Sequence, residues 1–139
     1  MTVGRAVAVV PAAGSSSRFG SAKLLADVDG EPLLNRTLRS LLDAGLAQVV
    51  VVRSPTAPLD GADLARHPNV TLVTNPDPAR GMFSSIQTGL AAAAGSPIVV
   101  LPADMPFVRS ETVRAVAGEC ERTGRVVVAT FRGRRSSSR

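Results

Sequence analysis

Residues 6–23 read Ala6-Val7-Ala8-Val9-Val10-Pro11-Ala12-Ala13-Gly14-Ser15-Ser16-Ser17-Arg18-Phe19-Gly20-Ser21-Ala22-Lys23. The first five residues are apolar throughout, without the polar alternation of a strand that faces water on one side. Such a run is typical of a strand in a sheet that is covered on both faces. We therefore predict a buried strand over residues 6–10, followed by a Gly- and Ser-rich loop.

The same alternation of strand, loop and helix continues along the chain. Helical spacing of apolar residues predicts helices over residues 32–44, 59–66, 84–94 and 110–123, and apolar runs predict strands over residues 48–52, 70–73, 98–101 and 126–130. Gly45 and Gly95 are expected to end two of the helices, and Ser84 and Ser110 to cap two. Helices between strands imply parallel βαβ units with right-handed crossovers. The predicted fold class is therefore α/β, a three-layer α/β/α Rossmann-like fold with a mostly parallel sheet.

Ligands of open parallel sheets bind beyond the carboxyl ends of the strands. In this chain that rule singles out residues 11–23, 74–82 and 102–106, which follow three of the predicted strands. Candidate site residues are expected in these three segments.

The positive charge belongs to the end of the chain. Of the net +5, four charges come from the arginines of residues 132–139, and without them 12 basic residues face 11 acidic ones. Arg, Gly and Ser without apolar residues cannot bury enough surface to offset ordering, so this segment is predicted to be a disordered basic tail after a domain over residues 1–131. Only 3% of residues are aromatic, which leaves almost no stacking platform for nucleic acid, and no nucleic-acid partner is expected.

Cysteine usage and hydropathy indicate the compartment. The one cysteine, Cys120, cannot form an internal disulfide, which fits a reducing cytoplasm. No apolar run reaches the roughly 18 residues that a membrane span requires. A cytoplasmic protein without a membrane partner is the expectation.

The loop after the first predicted strand has the chemistry of an anion site. Gly14 permits backbone conformations that other residues avoid, and small neighbouring side chains let backbone N–H groups approach a phosphate. Arg18 and Lys23 add positive charge. Triphosphate binding is favoured, and a flexible loop with incidental charges is the alternative; the P-loop and dinucleotide motifs do not occur. The candidate nucleotide-binding residues are Ala12, Ala13, Gly14, Ser15, Ser16 and Ser17.

This loop resembles the opening of the MobA-like NTP transferases, and most closely that of the molybdenum cofactor cytidylyltransferases. The residues that carry the resemblance are Pro11-Ala12-Ala13-Gly14-x-Ser16-x-Arg18-Phe19-Gly20-x-x-Lys23-Leu24-Leu25 and Gly30-x-Pro32-Leu33-Leu34. The resemblance implies a nucleotide-diphospho-sugar transferase (GT-A type) fold. It also implies that Arg18 and Lys23 contact the phosphates and support the transfer as catalytic residues.

Pro11 departs from the molybdenum branch, which usually has Leu at this position. Methylerythritol-phosphate cytidylyltransferases carry Pro-Ala-Ala-Gly, but they continue with Pro-Lys-Gln where this chain has Ala22-Lys23-Leu24. A sugar- or isoprenoid-phosphate cytidylyltransferase is therefore the alternative within the same reaction class.

The segment from Asn75 to Ser85 is the second candidate region. Ser84 is a credible helix N-cap, and Asn75 can discriminate a base because its amide donates and accepts at once. The stretch that begins Gly81-Met82-Phe83-Ser84 resembles one that is typical of the molybdenum branch, where it lines the base and ribose site. The candidate nucleotide-binding residues here are Asn75, Gly81, Met82, Ser84 and Ser85.

Asp104 follows the fourth predicted strand. Mg²⁺ prefers one or two carboxylates together with phosphate oxygens, whereas an aspartate beside proline is equally compatible with a plain turn. The string Asp104-Met105-Pro106-Phe107-Val108 resembles the metal-binding acidic motif of the family. The resemblance thus implies that Asp104 binds Mg²⁺ as the cofactor.

The predicted function is transfer of a nucleoside monophosphate, with CTP as the favoured NTP, to a small phosphorylated acceptor such as molybdopterin, with release of pyrophosphate. The resemblance covers residues 5–135, and family members generally continue further. The nucleotide-binding domain over residues 1–131 is therefore expected to be incomplete at its C-terminus, and a nucleotide-binding domain without activity is a further alternative. An exposed sheet edge would favour a homo-oligomer.

Overall fold

A parallel sheet of four strands lies at the centre of the fold. The computed structural model describes residues 5–13, 23–55, 59, 63–95, 97–124, 130–131 and 134–135. In chain order the elements are β1 (Val7–Pro11), β2 (Asp27–Val28), β3 (Glu31–Pro32), α1 (Leu33–Asp43), β4 (Gln48–Arg53), β5 (Val70–Thr74), α2 (Met82–Ala92), β6 (Ile98–Val100), α3 (Ser110–Thr123), β7 (Thr130–Phe131) and β8 (Arg134–Arg135), with 3₁₀ turns at Asp63–Arg66 and Pro78–Arg80.

The strand order β5-β4-β1-β6 confirms the predicted α/β class, because every pairing in this sheet is parallel. The chain moves from β1 outward through β4 to β5 and then returns to the other side of β1 at β6. The order of strands therefore reverses between β1 and β6. A crevice at such a reversal is the usual place for a ligand in an open α/β sheet.

Helices cover both faces of the sheet, which confirms the three-layer prediction. One face packs Ala8, Val10, Val49 and Val51 against residues of α1 and α3. The other face, made by Val7, Val9, Val50 and Val52, packs against the α2 side. Alternate residues of each strand are thus buried on opposite faces, which is why the strands are apolar without interruption.

Several boundaries differ from the sequence predictions. The predicted helix over residues 59–66 is a 3₁₀ turn at Asp63–Arg66 within the described residues. Helix α2 begins at Met82 with Gly81 as its N-cap, so Ser84 lies in the first turn and the N-cap prediction for Ser84 is wrong. Arg109, and not Ser110, is the N-cap of α3.

The two glycines that were expected to end helices behave differently. Gly45 follows α1 with a positive φ of 82°, as a residue after a helix end commonly does. Helix α2 already ends at Ala92, three residues before Gly95. Gly95 instead lies against the backbone of Arg5, where a Cβ would meet the Arg5 carbonyl.

The arginine-rich end of the chain contains one described pairing. Thr130–Phe131 and Arg134–Arg135 form a short antiparallel ladder, so these two arginines lie in a strand within the predicted tail. The other residues of the tail, and residues 125–129 of the predicted fifth strand, lie outside the described residues. None of the helices in the described ranges is long and apolar enough to cross a membrane.

Candidate functional site

The candidate phosphate loop begins at the carboxyl end of β1. The backbone N–H of Ala12 donates to the carbonyl of Val52 on β4 at 2.7 Å, which continues the sheet pairing by one residue. Ala12 and Ala13 are both buried, so the chain leaves the sheet in a fixed direction. Gly14, Ser15, Ser16, Ser17 and Arg18 lie outside the described residues.

The described residues resume at Lys23, the last residue of the candidate phosphate loop. The Lys23 side chain is exposed, whereas Leu24 is buried in the core and anchors the chain beside it. A tight β2–β3 hairpin follows, with positive φ angles at Asp29 and Gly30 that suit the right-handed twist of such a ribbon. The predicted phosphate ligand Lys23 therefore stands on an anchored segment with its ammonium group in solvent.

Asp104 lies next to the start of this loop. Beyond β6, the N–H of Leu101 donates to the Val9 carbonyl and the N–H of Ala103 donates to the Pro11 carbonyl, both at 3.1 Å. The chain thus follows β1 to its last residue before it turns at Asp104. Because the candidate phosphate loop also leaves from the end of β1, its described start at Pro11 to Ala13 lies beside the Asp104 turn at the β1–β6 reversal.

Asp104 offers a carboxylate for a cation at this end of the sheet. Asp104 is exposed and takes part in none of the ion pairs among the described residues. The described ranges also hold no group of three His, Cys, Asp or Glu residues that could enclose a metal ion. Mg²⁺ commonly binds through one or two carboxylates, with waters and substrate phosphates as the other ligands. Asp104 therefore fits a cation that arrives with a nucleotide, and it does not fit a closed protein cage.

Asn75 is the centre of a buried polar network. It is 2% exposed, and its backbone N–H donates to the Arg53 carbonyl at 2.8 Å. Its Nδ2 donates to Ser84 Oγ and to Ser85 Oγ, each at 3.0 Å, while its Oδ1 accepts from the Asp77 N–H at 3.0 Å. Both amide hydrogens are thus already used inside the protein. Through these hydrogen bonds Asn75 connects the end of β5 to the start of α2.

The two serines share this internal role. Ser84 and Ser85 are buried, and Ser84 Oγ donates to the Gly81 carbonyl at 2.7 Å. Gly81 has a φ of 99°, which glycine adopts readily and other residues rarely do. Met82 is 55% exposed beside them. Of the five candidate residues in this segment, Met82 is exposed and Gly81 is half-buried, and base or ribose contact by the segment stays a prediction.

The pKa shifts among the described residues belong to surface groups outside these three segments. The hydrogen bond to Glu31 raises the pKa of Arg39 on α1. A backbone hydrogen bond at the start of α3 lowers the pKa of Glu111, and Arg122 lowers that of Glu119 through a side-chain hydrogen bond. Glu31 and Arg39 also line a shallow cleft of about 210 Å³ between α1 and the start of α3, and its lining includes two arginines and two acids.

Sequence reasoning missed Thr37. This residue lies on the buried face of α1, and its Oγ1 donates to the Ala103 carbonyl at 2.8 Å. A threonine among leucines breaks the apolar pattern of the helix, and that interruption is the signal that could have identified it. Its partner lies 66 residues away, so no local pattern could have named the contact.

Comparison with known proteins finds sequence similarity to nucleotidyltransferases. A sequence model of the MobA-like NTP transferase domain matches residues 8–137. The 2-C-methyl-D-erythritol 4-phosphate cytidylyltransferase of Clostridium botulinum is 31% identical over 111 residues, covering 76% of this chain and 50% of that protein. The 3-deoxy-manno-octulosonate cytidylyltransferase of Chlorobium phaeovibrioides is 32% identical over 112 residues, covering 81% of this chain and 44% of that protein.

A solved structure supports the fold independently. The chain superimposes on a nucleotidyl transferase from Methanothermobacter thermautotroptrophicus with a TM-score of 0.68 at 27% identity, covering 82% of this chain and 57% of that one. The predicted Rossmann-like nucleotidyltransferase fold is thereby confirmed. The chain spans about half the length of the curated relatives it matches.

Proposed function

We propose that the chain is the nucleotide-binding part of a cytidylyltransferase, because it belongs to the family of MobA-like NTP transferase domains. One observation carries the proposal: the Ala103 N–H donates to the Pro11 carbonyl at 3.1 Å. That bond joins the turn that bears Asp104 to the start of the phosphate loop. A nucleoside triphosphate with its cation requires both elements within the span of its phosphates.

Each element has a separate task in the proposed site. The small residues Ala12 to Ser17 offer backbone N–H groups to the phosphates, and Arg18 and Lys23 balance the negative charge. Asp104 would hold Mg²⁺, which when bound neutralises the triphosphate and stabilises the leaving pyrophosphate. An oxygen of the acceptor attacks the α-phosphorus, and the bond from that phosphorus to the bridging oxygen of the β-phosphate breaks. The protein contributes positioning and charge stabilisation and forms no covalent intermediate.

The names of two relatives support CTP as the donor. Both are cytidylyltransferases, one named for a methylerythritol phosphate and the other for an octulosonate, which are small anionic acceptors. We infer that the acceptor of this protein is a small phosphorylated molecule of the sugar or isoprenoid class. A molybdopterin-type acceptor is the second candidate, and the Gly81-Met82-Phe83-Ser84 stretch favours it.

The nucleotide specificity is tested by the melting temperature of the chain in CTP, GTP, ATP or UTP with Mg²⁺. A ligand at about 100 times its Kd stabilises a protein by about 2.7 kcal/mol, which raises the Tm by several degrees. We expect the largest rise with CTP. Equal melting temperatures in all four nucleotides and in buffer would overturn the proposed nucleotide site.

The reaction is tested separately by pyrophosphate release. The chain is mixed with CTP, Mg²⁺ and either methylerythritol phosphate or molybdopterin cofactor, and release identifies the acceptor class. Nucleotide binding by calorimetry without release from either mixture would favour the alternative of a nucleotide-binding domain without activity.

A further inference from the structure

Thr37 places a hydroxyl group inside an aliphatic core. It is fully buried on the face of α1 that also carries Leu34, Leu38 and Leu41. A buried hydroxyl without a partner is unfavourable, and a helical threonine usually finds one in the carbonyl a turn earlier in its own helix. Thr37 Oγ1 instead donates to the Ala103 carbonyl at 2.8 Å. The hydroxyl therefore ties α1 to the chain segment beyond β6.

Ala103 is held by both of its backbone polar groups. Its N–H donates to the Pro11 carbonyl of β1 at 3.1 Å, and its carbonyl accepts from Thr37. Its side chain is buried as well, at 2% exposure. The next residue is Asp104, whose side chain is exposed. The backbone is thus fixed immediately before the carboxylate, while the carboxylate extends freely into solvent.

We propose that Thr37 is a positioning residue: its hydrogen bond fixes the backbone before Asp104, so that the Asp104 carboxylate is oriented toward a cation bound to the nucleotide phosphates. The inference rests on the proposed function, in which Asp104 binds the Mg²⁺ that accompanies CTP. The peptide between Ala103 and Asp104 has the Thr37 hydroxyl as the partner of its carbonyl. Loss of that partner lets the peptide rotate, and the carboxylate moves with it. Residues that orient a metal ligand in this way typically change metal affinity by about 10- to 100-fold when they are removed.

Two substitutions at Thr37 separate positioning from stability. Thr37→Val keeps the volume and removes the hydroxyl, whereas Thr37→Ser keeps the hydroxyl and removes a buried methyl group. Thr88→Val is the matched control, because Thr88 Oγ1 also donates to a carbonyl, that of Ser84 in its own helix, at 2.9 Å. The measured quantity is the Kd of CTP by calorimetry, once in EDTA and once in Mg²⁺. The ratio of the two values is the gain in affinity that the cation provides.

We expect Thr37→Val to reduce this gain about 10-fold and to leave the Kd in EDTA unchanged. Thr37→Ser and Thr88→Val should retain the gain of the wild type, although Thr37→Ser lowers the melting temperature. A wild-type gain in Thr37→Val, or loss of the gain in Thr37→Ser, would overturn the inference. If the valine variant does not fold, Thr37→Ala removes the same hydroxyl without a branched side chain and should also reduce the gain about 10-fold. A wild-type gain in Thr37→Ala would then overturn the inference.

CTP binding by the wild type, measured in EDTA and in Mg²⁺, distinguishes failure of this inference from failure of the proposed function. If the wild type binds CTP equally well in EDTA and in Mg²⁺, the metal role of Asp104 is wrong and the inference about Thr37 fails with it. If the wild type binds no nucleotide under either condition, the proposed function itself is wrong. If the wild type shows the gain and Thr37→Val shows it equally, only the role of Thr37 is wrong.

Discussion

Gly89 of α2 lies so close to Val9 of β1 that a Cβ on residue 89 would be 2.5 Å from Val9 Cγ1. Carbon atoms in favourable contact are about 3.5–4.0 Å apart, so only a glycine permits this approach. The contact sets the distance of α2 from the central strand. Because Gly81 and Met82 stand at the start of the same helix, the packing of Gly89 also positions the candidate base and ribose segment.

Replacement of Gly89 by alanine is expected to destabilise the protein. Alanine in a helix is favoured over glycine by about 1 kcal/mol, but added volume in a packed core costs about 1–3 kcal/mol. Gly118 of α3 is the control, since a Cβ there would meet no atom within 4 Å. We expect Gly118→Ala to raise the free energy of unfolding and Gly89→Ala to lower it in urea titrations. Equal stabilisation by the two substitutions would show that α2 is free to move away from β1.

An acid-dependent contribution to stability is expected from Glu119. Arg122 donates to Glu119 through Nε at 3.1 Å, and this contact lowers the carboxyl pKa from its ordinary value of 4.5. A carboxylate with a lowered pKa in the folded state stabilises above the unfolded pKa, and the contribution is lost as pH falls through the folded pKa. Glu119→Gln should therefore melt slightly below the wild type at pH 7 and together with it at pH 3.

The size of that effect is limited by solvent. The pair is exposed on α3, and surface ion pairs of this kind contribute little and are screened by salt. The difference in Tm between Glu119→Gln and the wild type at pH 7 should therefore decrease in 1 M NaCl. A difference that persists at pH 3 would mean that the substitution acts through something other than the charge of Glu119.

The strands could be predicted from sequence because their environment is uniform. Val9 and Val10 face opposite sides of the sheet and both are fully buried, so an unbroken apolar run is the pattern that this fold requires. The carboxyl-end rule also singled out Asp104 and the start of the candidate phosphate loop. The structure brings these two segments together at Pro11 and Ala103, and their roles stay predictions. The strands and the meeting of these segments could be predicted because they depend on properties that each strand has independently of its neighbours.

The polar contacts could not be predicted in the same way, because each depends on a distant partner. Asn75 has the donors and acceptor of a base-reading residue, but the fold directs them to Ser84, Ser85 and Asp77. Ser84 has a side chain that is common at the N-cap, but the helix begins earlier, at Met82, with Gly81 as its N-cap. The residue type determines which hydrogen bonds a side chain can form, and the tertiary packing determines which of them it does form.

Asn75 and Gln48 hold opposite ends of α2, and their removal should have different consequences. Gln48 Nε2 donates to the Ala92 carbonyl at 3.3 Å, and its Oε1 accepts from the Ala94 N–H at 3.1 Å. Asn75→Ala removes the donor to the buried Ser84 and Ser85 hydroxyls, and an unpaired buried group costs about 1–3 kcal/mol. Gln48→Ala removes hydrogen bonds that are part-buried or exposed, so its cost should be smaller. We expect both variants to lose stability in urea titrations, and only Asn75→Ala to weaken CTP binding.

The comparison between these variants tests the location of the nucleotide. The network of Asn75 fixes Gly81 and the first turn of α2 at the carboxyl edge of the sheet, whereas Gln48 acts at the opposite edge. If Gln48→Ala weakened CTP binding as much as Asn75→Ala, the loss would follow from lower stability. An unchanged CTP affinity in Asn75→Ala would remove the start of α2 from the nucleotide site.

Asp104→Asn should change the affinity for CTP in opposite directions with and without Mg²⁺. The substitution keeps the shape of the side chain and removes its charge, and Asp104 is exposed, so the stability should be nearly unchanged. In EDTA the carboxylate only repels the triphosphate, and its removal should strengthen CTP binding slightly, because two charges about 4 Å apart interact by about 1 kcal/mol in water. In Mg²⁺ the proposed role of the same carboxylate is that of a ligand of the cation, so its removal should weaken CTP binding. Asp63→Asn, at an exposed position on the 3₁₀ turn before β5, controls for the change in net charge and should leave both values of Kd unaltered. A change of the same sign in EDTA and in Mg²⁺ would mean that Asp104 acts on the nucleotide only through its charge, without a cation between them.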